Sequence, residues 1–342
     1  MLKRARRALV LALTGSLAAL LAVTPAAAQK QSVVIYTAIE NEQIAEYKKA
    51  YEKALPNLDV KMLRLSTGDI AARFMAEKDN MQADLIWGVG ATNMLQFKNA
   101  GLLEPYAPKG LERIQPLFRD KANPPAWVGL DIYMSAFCFN TEVGKKHTLP
   151  RPESWADLTK PVYKGHVVMP NPASSGTGYL SVVSVLQRMG EAEGWKYLEA
   201  LDQNVAYYTR GGGGPAQLVA RGEAILGVAT DEDALPLLKK QAPVQIGAPV
   251  EGIGAIGQWI AIPKGSKAPD AAKKMIDLAG TPEFQEFLAT YGNLAAREVK
   301  SPLYPTRPKL IPIDWKLYGQ KEVRAKIIGT WRDKFGHKAR TQ

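Results

Sequence analysis

Along the chain, short apolar runs alternate with stretches in which apolar residues recur at helical spacing. Val33 to Tyr36 is a β-branched run closed by the turn Thr37-Ala38-Ile39-Glu40, and Asn41 to Leu55 carries Ile44, Tyr47 and Tyr51 before Pro56. This predicts a strand, a turn and an amphipathic helix with a stop. Val60 to Leu65 then reads as a strand whose turn, Ser66-Thr67-Gly68-Asp69, enters a helix over Ile70 to Glu77. Ala83 to Trp87 is a third strand, with Gly88 and Gly90 ahead of a helix from Ala91 to Lys98. Strand alternating with helix predicts a parallel α/β sheet.

Pro105, Pro108, Pro116, Pro124 and Pro125 break the pattern between Gly101 and Trp127. Tyr133 to Phe139 then reads as one buried strand crossing between two lobes. A second α/β block follows. It holds a strand over His166 to Met169, a helix from about Leu180 to Met189, a helix over Glu191 to Leu201 and a strand over Val205 to Tyr208. Gly211 to Gly214 leads into a helix from Pro215 to Arg221, and the strand Ala224 to Ala229 runs into Thr230-Asp231-Glu232-Asp233 and another helix. Gln258 to Ile262 reads as a return strand, and Pro269 to Leu278 and Pro282 to Ala289 as helices with Pro in the first turn. The tail from Ser301 is Pro-rich, then polar-aromatic, and is expected to wrap the surface. The division expected is lobe 1 over 29–135 plus about 255–300, lobe 2 over 136–254, and the tail over 301–342 packing on the lobes.

The first 28 residues stand apart. Lys3, Arg4, Arg6 and Arg7 precede an apolar run, Ala8 to Val23, and Ala26-Ala27-Ala28 fits a small-residue cleavage site. This is the pattern of a signal peptide, so an exported, periplasmic protein starting at Gln29 is expected. The formal net charge of the 342-residue chain is +11, and these residues hold four basic and no acidic side chains, which leaves +7. That charge is spread rather than blocked, which does not point to nucleic acid. Cys138 is the single cysteine, so no intramolecular disulfide forms, and its apolar setting marks a small buried residue.

Candidate chemistry gathers in the turns that follow strands, at Thr37, Ser66, Gly88, Ser174, Gly211 and Thr230. In open α/β sheets, ligands bind outside the carboxyl ends of the strands, so turns from two facing sheets converge on one cleft. The richest stretch is PNPASSGTGY, Pro170 to Tyr179. Two readings stand for it. One is an ordinary N-cap in which a serine satisfies its own helix. The other is an anion cradle, in which Ser174, Ser175 and Thr177 donate hydroxyls, Gly176 and Gly178 admit a ligand to the backbone, and the helix dipole favours negative charge. Gly211 and Gly212 sit in a glycine run that is either a flexible connection or a second close approach. Glu40 and Asp231 suit a cation, although Asp231 to Asp233 also fit helix-dipole caps. Trp87 and Tyr207 are candidates for an aromatic wall. His147, His166 and His337 lack metal-ligand spacing, and no G-x-S-x-G elbow or P-loop lysine is present, so neither an enzyme nor a resident metal or cofactor is expected.

VVIYTAIE at Val33 to Glu40, LSTGDIAARFMAE at Leu65 to Glu77 and ADLIWG at Ala83 to Gly88 occur in order. GLLEPY at Gly101 to Tyr106, PESWADLTKPVYKG at Pro152 to Gly165 and VARGEAILGVA at Val219 to Ala229 follow them. On these segments the chain resembles the extracellular solute-binding proteins of ABC importers, in the group that takes ferric iron, polyamines or phosphonates. The resemblance implies a type II periplasmic binding protein of two α/β lobes closing by a hinge. It also implies an ABC permease in the inner membrane as partner, and a monomer is expected. Ferric-binding members carry adjacent tyrosines shortly after the segment matching GEAILGVA and a histidine near the position of Glu40. Here Thr230-Asp231-Glu232 and Glu40 stand instead. The likeness is nearest to binders of 2-aminoethylphosphonate. It implies an anion cradle at Ser174 to Thr177; read with the residues above, a phosphonate is expected at Thr37, Ser174, Ser175, Gly176, Thr177, Gly211 and Gly212, with Glu40, Trp87, Tyr207 and Asp231 as amine partners or wall. A ferric-iron binder and, further off, an exported phosphoryl-handling enzyme are the alternatives.

Overall fold

The computed structural model describes residues 30–114, 116, 119–290, 294–295, 308–311 and 313–340. The expected leader over 1–28 and the Pro-rich start of the tail, 301–307, lie outside them. In chain order the principal elements begin with β1 (Gln31–Thr37), α1 (Asn41–Ala54), β2 (Leu58–Arg64), α2 (Thr67–Ala76), β3 (Leu85–Val89), α3 (Ala91–Asn99) and the long β4 (Val128–Asn140). They continue with β5 (Val167–Pro170), α4 (Gly176–Met189), α5 (Glu191–Asp202), β6 (Val205–Thr209), α6 (Gly214–Ala220), β7 (Leu226–Thr230), α7 (Asp231–Lys239) and β8 (Val244–Gly247). Last come β9 (Ile253–Pro263), α8 (Pro269–Ala279), α9 (Pro282–Ala289) and α10 (Lys321–Phe335).

The strands run in the order β2-β1-β3-β9-β4-β7-β5-β6. β1 pairs parallel with β2 and β3, and β5 pairs parallel with β6 and β7, as right-handed strand–helix–strand crossovers require. The two parallel blocks meet through antiparallel pairs. β9 pairs with β3 on one side and β4 on the other, and β4 then pairs with β7 and β8. The result is a two-lobed α/β fold joined by strands that belong to both halves.

Each lobe has its own core. In lobe 1, Ile35, Tyr47, Tyr51, Trp87, Phe97, Ile260 and Met275 are buried together. Trp87 stacks on Tyr47 at 4.9 Å and 20°, and meets Tyr51 edge-on at 5.4 Å. In lobe 2, Phe137, Trp155, Val183, Leu198 and Leu226 form the main cluster, and Cys138 is buried in a neighbouring one, where burial pushes its thiol pKa up.

Two features depart from the sequence expectation. β4 is 13 residues long, twice the apolar run that marks it, because its first half also finds a partner in β9. The polar-aromatic tail contains the helix α10, whose Ile327, Trp331 and Phe335 recur every four residues and enter the lobe 2 core. Its hydrophobic stripe is narrow and its other faces are charged, which hid the period. Trp331 meets Tyr208 edge-on at 4.9 Å, and Arg340 N–H donates to the Tyr208 carbonyl. Among the described residues no helix is long and apolar enough to cross a membrane.

Replacing Trp331 by Ala should empty a site that is 2% exposed and cost about 3–5 kcal/mol. Urea denaturation followed by tryptophan fluorescence checks this. A loss below about 1 kcal/mol would mean α10 is an ornament rather than part of the lobe 2 core.

Candidate functional site

Helix heads from both lobes and a glycine turn meet where the lobes face each other. They bound a cleft of ≈ 410 Å³, a volume that includes open solvent. Lobe 1 contributes Ala38, Glu40, Arg64, Ser66, Thr67 and Gly88. The joining strands contribute Tyr133 and Gln258. Lobe 2 contributes Ser175, Gly176, Thr177, Gly212, Thr230, Glu232 and Asp233.

The head of α4 follows from its sequence. Ser175 has extended dihedrals and its Oγ accepts from Gly178 N–H at 3.2 Å, a normal N-cap. Tyr179 N–H goes to the Ser175 carbonyl. The amides of Gly176 and Thr177 have no acceptor among the described residues, and both residues line the cleft. The cap and the cradle are thus compatible: the cap uses the third helical amide and leaves the first two. The first turn of α4 holds no acidic residue. The heads of α2 and α7 do. α2 carries Asp69, and α7 carries Asp231, Glu232 and Asp233.

The glycine turn brings the lobes into contact. A Cβ on Gly211 would lie 3.4 Å from Arg64 Nη2. One on Gly212 would lie 2.5 Å from Thr177 Oγ1 and 3.3 Å from Ser175 Oγ, and one on Gly213 would lie 2.7 Å from Glu40 Cδ. Gly213 N–H donates to Glu40 Oε1 at 3.1 Å, and Arg64 Nη2 donates to both Glu40 oxygens at 2.6 and 2.7 Å. Beside the cleft, Gly68 N–H donates to the Ser174 carbonyl at 3.1 Å, Ser174 Oγ donates to the Arg210 carbonyl, and Arg210 Nη2 reaches both Asp69 oxygens at 2.7 Å. Burial raises the Asp69 pKa, but hydrogen bonds from Arg210 and Ser66 outweigh it and hold the group below the usual carboxylate range.

On the acidic side, Gln258 Nε2 donates to Glu232 and Thr230 Oγ1 donates to Asp233 Oδ2. Burial, followed by the negative charge of Glu40, raises the Asp233 pKa well above normal. Asp231 lies behind them. Its Oδ1 accepts from Met134 N–H at 2.9 Å and from Glu232 N–H, its Oδ2 is buried without a partner, and burial pushes its pKa up to about 7.

The sequence candidates fall into two sets. Glu40, Ser175, Gly176, Thr177 and Gly212 line the cleft. Thr37, Trp87, Ser174, Tyr207, Gly211 and Asp231 are not among its lining residues. Thr37 is fully buried and its Oγ1 accepts from Ile39 N–H, shaping the turn. Trp87 points into the lobe 1 core because strand alternation gives the cleft side to Gly88. Tyr207 is covered by the Arg340 guanidinium, 3.2 Å from its ring centroid, and Tyr208 donates to Asp202 in lobe 2. Ser174 and Gly211 serve the contacts between lobes, and Asp231 ties α7 to β4. The aromatic group on the cleft is Tyr133, whose hydroxyl lies 3.3 Å from a Cβ built on Gly176. Sequence reasoning missed Arg64, Tyr133 and Gln258 because each lies within a strand, whereas the candidate chemistry was sought in the turns that follow strands. His147 and His166 approach each other, with ring centroids 5.7 Å apart, but no group of three metal-ligating side chains occurs among the described residues.

A two-lobed cleft built from helix heads and polar turns is the architecture of a receptor that encloses a small solute. The chain belongs to the bacterial extracellular solute-binding proteins, whose family model matches residues 80–317. It is therefore a solute-binding component of an ABC importer, a class that works in the periplasm. An uncharacterized protein of Haemophilus influenzae is 34% identical over 93% of this chain and 94% of its own length. A probable ABC transporter periplasmic-binding protein of Sinorhizobium fredii, y4fP, is 28% identical over 77% of this chain and 76% of its own. Among solved structures, the periplasmic binding protein AfuA of Actinobacillus pleuropneumoniae, with exogenous fructose-6-phosphate bound, is similar at a TM-score of 0.82. It is 31% identical, and the match covers 90% of this chain and 99% of that one.

The raised pKa of Asp231 has a testable sign. Its folded value, about 7, exceeds the unfolded value of about 3.9, so the folded state binds the extra proton between them and stability falls as pH rises through that window. Asp231→Asn, which keeps the Oδ1 acceptor, should therefore gain in Tm relative to the parent between pH 5 and pH 8. A difference in Tm that stays flat across that range would show that Asp231 is already ionised at pH 5.

Proposed function

We propose that the chain captures a small phosphorylated solute with a hydroxyl-bearing body, a hexose phosphate being the leading candidate, for delivery to its permease. One observation carries this reading. Among the helix heads on the cleft, those of α2 and α7 carry acidic residues in the first turn, whereas that of α4 carries none, and its cleft-lining Gly176 and Thr177 have amides with no acceptor among the described residues. A phosphoryl group there would take those amides and the Thr177 hydroxyl. Each bond to a charged group is worth roughly 1.5–3 kcal/mol, and three or four would support micromolar binding, about −8 kcal/mol, after ordering costs. The body of the solute would then face Glu232, Asp233 and Gln258, acceptors suited to hydroxyl donors. The likeness to AfuA supports this choice of body.

A second reading keeps 2-aminoethylphosphonate, with its ammonium toward Glu232 and Asp233. It is favoured by the acidic surplus there, and Glu40 moves out of the amine role because its carboxylate already accepts from Arg64 and Gly213. Iron gains no support from the adjacent tyrosines, since neither Tyr207 nor Tyr208 lines the cleft.

Isothermal calorimetry with fructose 6-phosphate, fructose, 2-aminoethylphosphonate and inorganic phosphate tests the choice. Saturable one-to-one binding of fructose 6-phosphate with silence from fructose is expected. Equal binding of both sugars would remove the phosphoryl anchor, and heat from the aminophosphonate alone would select the second reading. Gly212→Ala, which sets a methyl group against Thr177 and Ser175, should lower affinity by about tenfold or more while leaving Tm within a few degrees. Unchanged affinity would take the glycine turn out of the site.

A further inference from the structure

We infer that Arg64 gives the cleft its requirement for an anion, and that Glu40 is the counter-ion that positions Arg64 rather than a group that touches the solute. This rests on the reading of a phosphoryl-bearing solute and adds to it a residue on the opposite lobe from the α4 head.

The placement of Arg64 carries the argument. It ends β2, and its side chain is 24% exposed on the cleft wall. Among the described residues that line the cleft it is the one basic side chain, facing Glu40, Glu232 and Asp233. Arg210, the next cation, spends its guanidinium on Asp69 beside the cleft. Among the described lining residues an incoming anion therefore meets a basic side chain only at Arg64, whose charge is shared with Glu40 through Nη2. The glycine turn fixes how near that charge stands to the α4 head. Arg64 Nη2 and Nη1 lie 3.4 and 3.7 Å from a Cβ on Gly211, and the next residue, Gly212, faces Thr177 and Ser175. Successive Cα atoms are about 3.8 Å apart, so the guanidinium is one residue step along the turn from the cradle.

The donor inventory agrees. A guanidinium has five N–H donors in a planar fork. Glu40 takes the bonds from Nη2, whereas Nε is buried with no partner among the described residues. A phosphoryl group in the cleft would supply acceptors that a single carboxylate does not, in the geometry that Arg rather than Lys recognises. Glu40 accepts from Arg64 and from Gly213 N–H across the cleft, so its oxygens are engaged by protein donors. A purely structural ion pair would predict that losing either partner does similar harm. In the arrangement inferred here the two losses have opposite signs for an anion, because Glu40→Gln keeps an acceptor for Gly213 N–H while releasing the charge of Arg64.

The experiment uses the exported full chain and two probes, inorganic phosphate as a bare anion and fructose 6-phosphate, read by calorimetry and by the rise in Tm. Phosphate should bind the parent at millimolar concentration or better. Arg64→Gln should weaken it by about tenfold or more, Arg64→Lys by a few fold, and Glu40→Gln should leave it unchanged or tighten it. Phosphate binding to Arg64→Gln as to the parent would overturn the inference, as would Glu40→Gln losing as much as Arg64→Gln, or no response of the parent to phosphate. If Arg64→Gln fails to fold, Arg64→Lys decides, and full affinity in that variant counts against the planar fork. Arg64-dependent phosphate binding without any sugar-phosphate binding would sink the hexose-phosphate reading and leave the role of Arg64 standing.

Discussion

The constraint on which the molecule depends is that one strand, β4, belongs to both lobes. Residues 128–134 pair with β9 and residues 135–139 pair with β7, so the changeover from one sheet to the other falls within two residues. Both lobe 2 helix heads on the cleft are tied to that point. Met134 N–H donates to Asp231 at the head of α7, and Ser135 Oγ shares a 2.8 Å hydrogen bond with Ser181 on α4. Tyr133, one residue earlier, faces the cleft. The amides of α4 and the carboxylates of α7 are therefore held at a fixed separation by the strand itself. Hinge motion moves lobe 1 against this pair without changing the spacing within it.

That fixed pair gives the cleft a polarity. A helix head is equivalent to roughly half a positive charge, and acidic residues in the first turn cancel it. α7 carries three of its own, all buried, and two of them have raised pKa values. Burying carboxylates that cannot all ionise is unfavourable for stability, and such strain concentrates at functional sites. α4 shows the reverse arrangement, apolar residues behind an uncancelled head. The same chemical unit, a strand-to-helix turn with a hydroxyl cap, thus appears twice in one lobe with opposite electrostatic character. A solute with one anionic end and a donor-rich body fits only one way round.

Much of this was legible in the sequence, and the losses have identifiable causes. The alternation of strand and helix and the hydroxyl and glycine turns give the two-lobed fold and the cleft, because turns at strand ends converge whatever their detailed geometry. Ser175 and Thr177 are legible because a helix head acts through its own backbone. Glu40 is legible as a cleft residue but not as to its role, since its partner Arg64 lies 24 residues away on another strand end. Trp87 fails through parity. β3 runs two residues further than its apolar run, and in a strand that decides which neighbour meets the ligand. Tyr207 fails because the chain that covers it, near Arg340, follows a helix with only three buried apolar positions in fifteen residues.

The contacts between lobes also set what the hinge can do. Asp69 and Arg210 are 37% and 51% exposed, so their pair is screened and contributes about 0–1 kcal/mol. The Gly68–Ser174 and Glu40–Gly213 hydrogen bonds add about 1 kcal/mol each, somewhat more for the charged acceptor. A closed form held by these alone is favoured by only a few kcal/mol before the cost of ordering the hinge, which leaves open and closed forms close in free energy. A solute can shift such an equilibrium only by its differential affinity for the two forms. The α4 head and Arg64 lie on opposite lobes, so a solute that touches both has its full set of partners only when the cleft is shut. Such weak direct contacts between lobes would leave the state of the hinge to the solute.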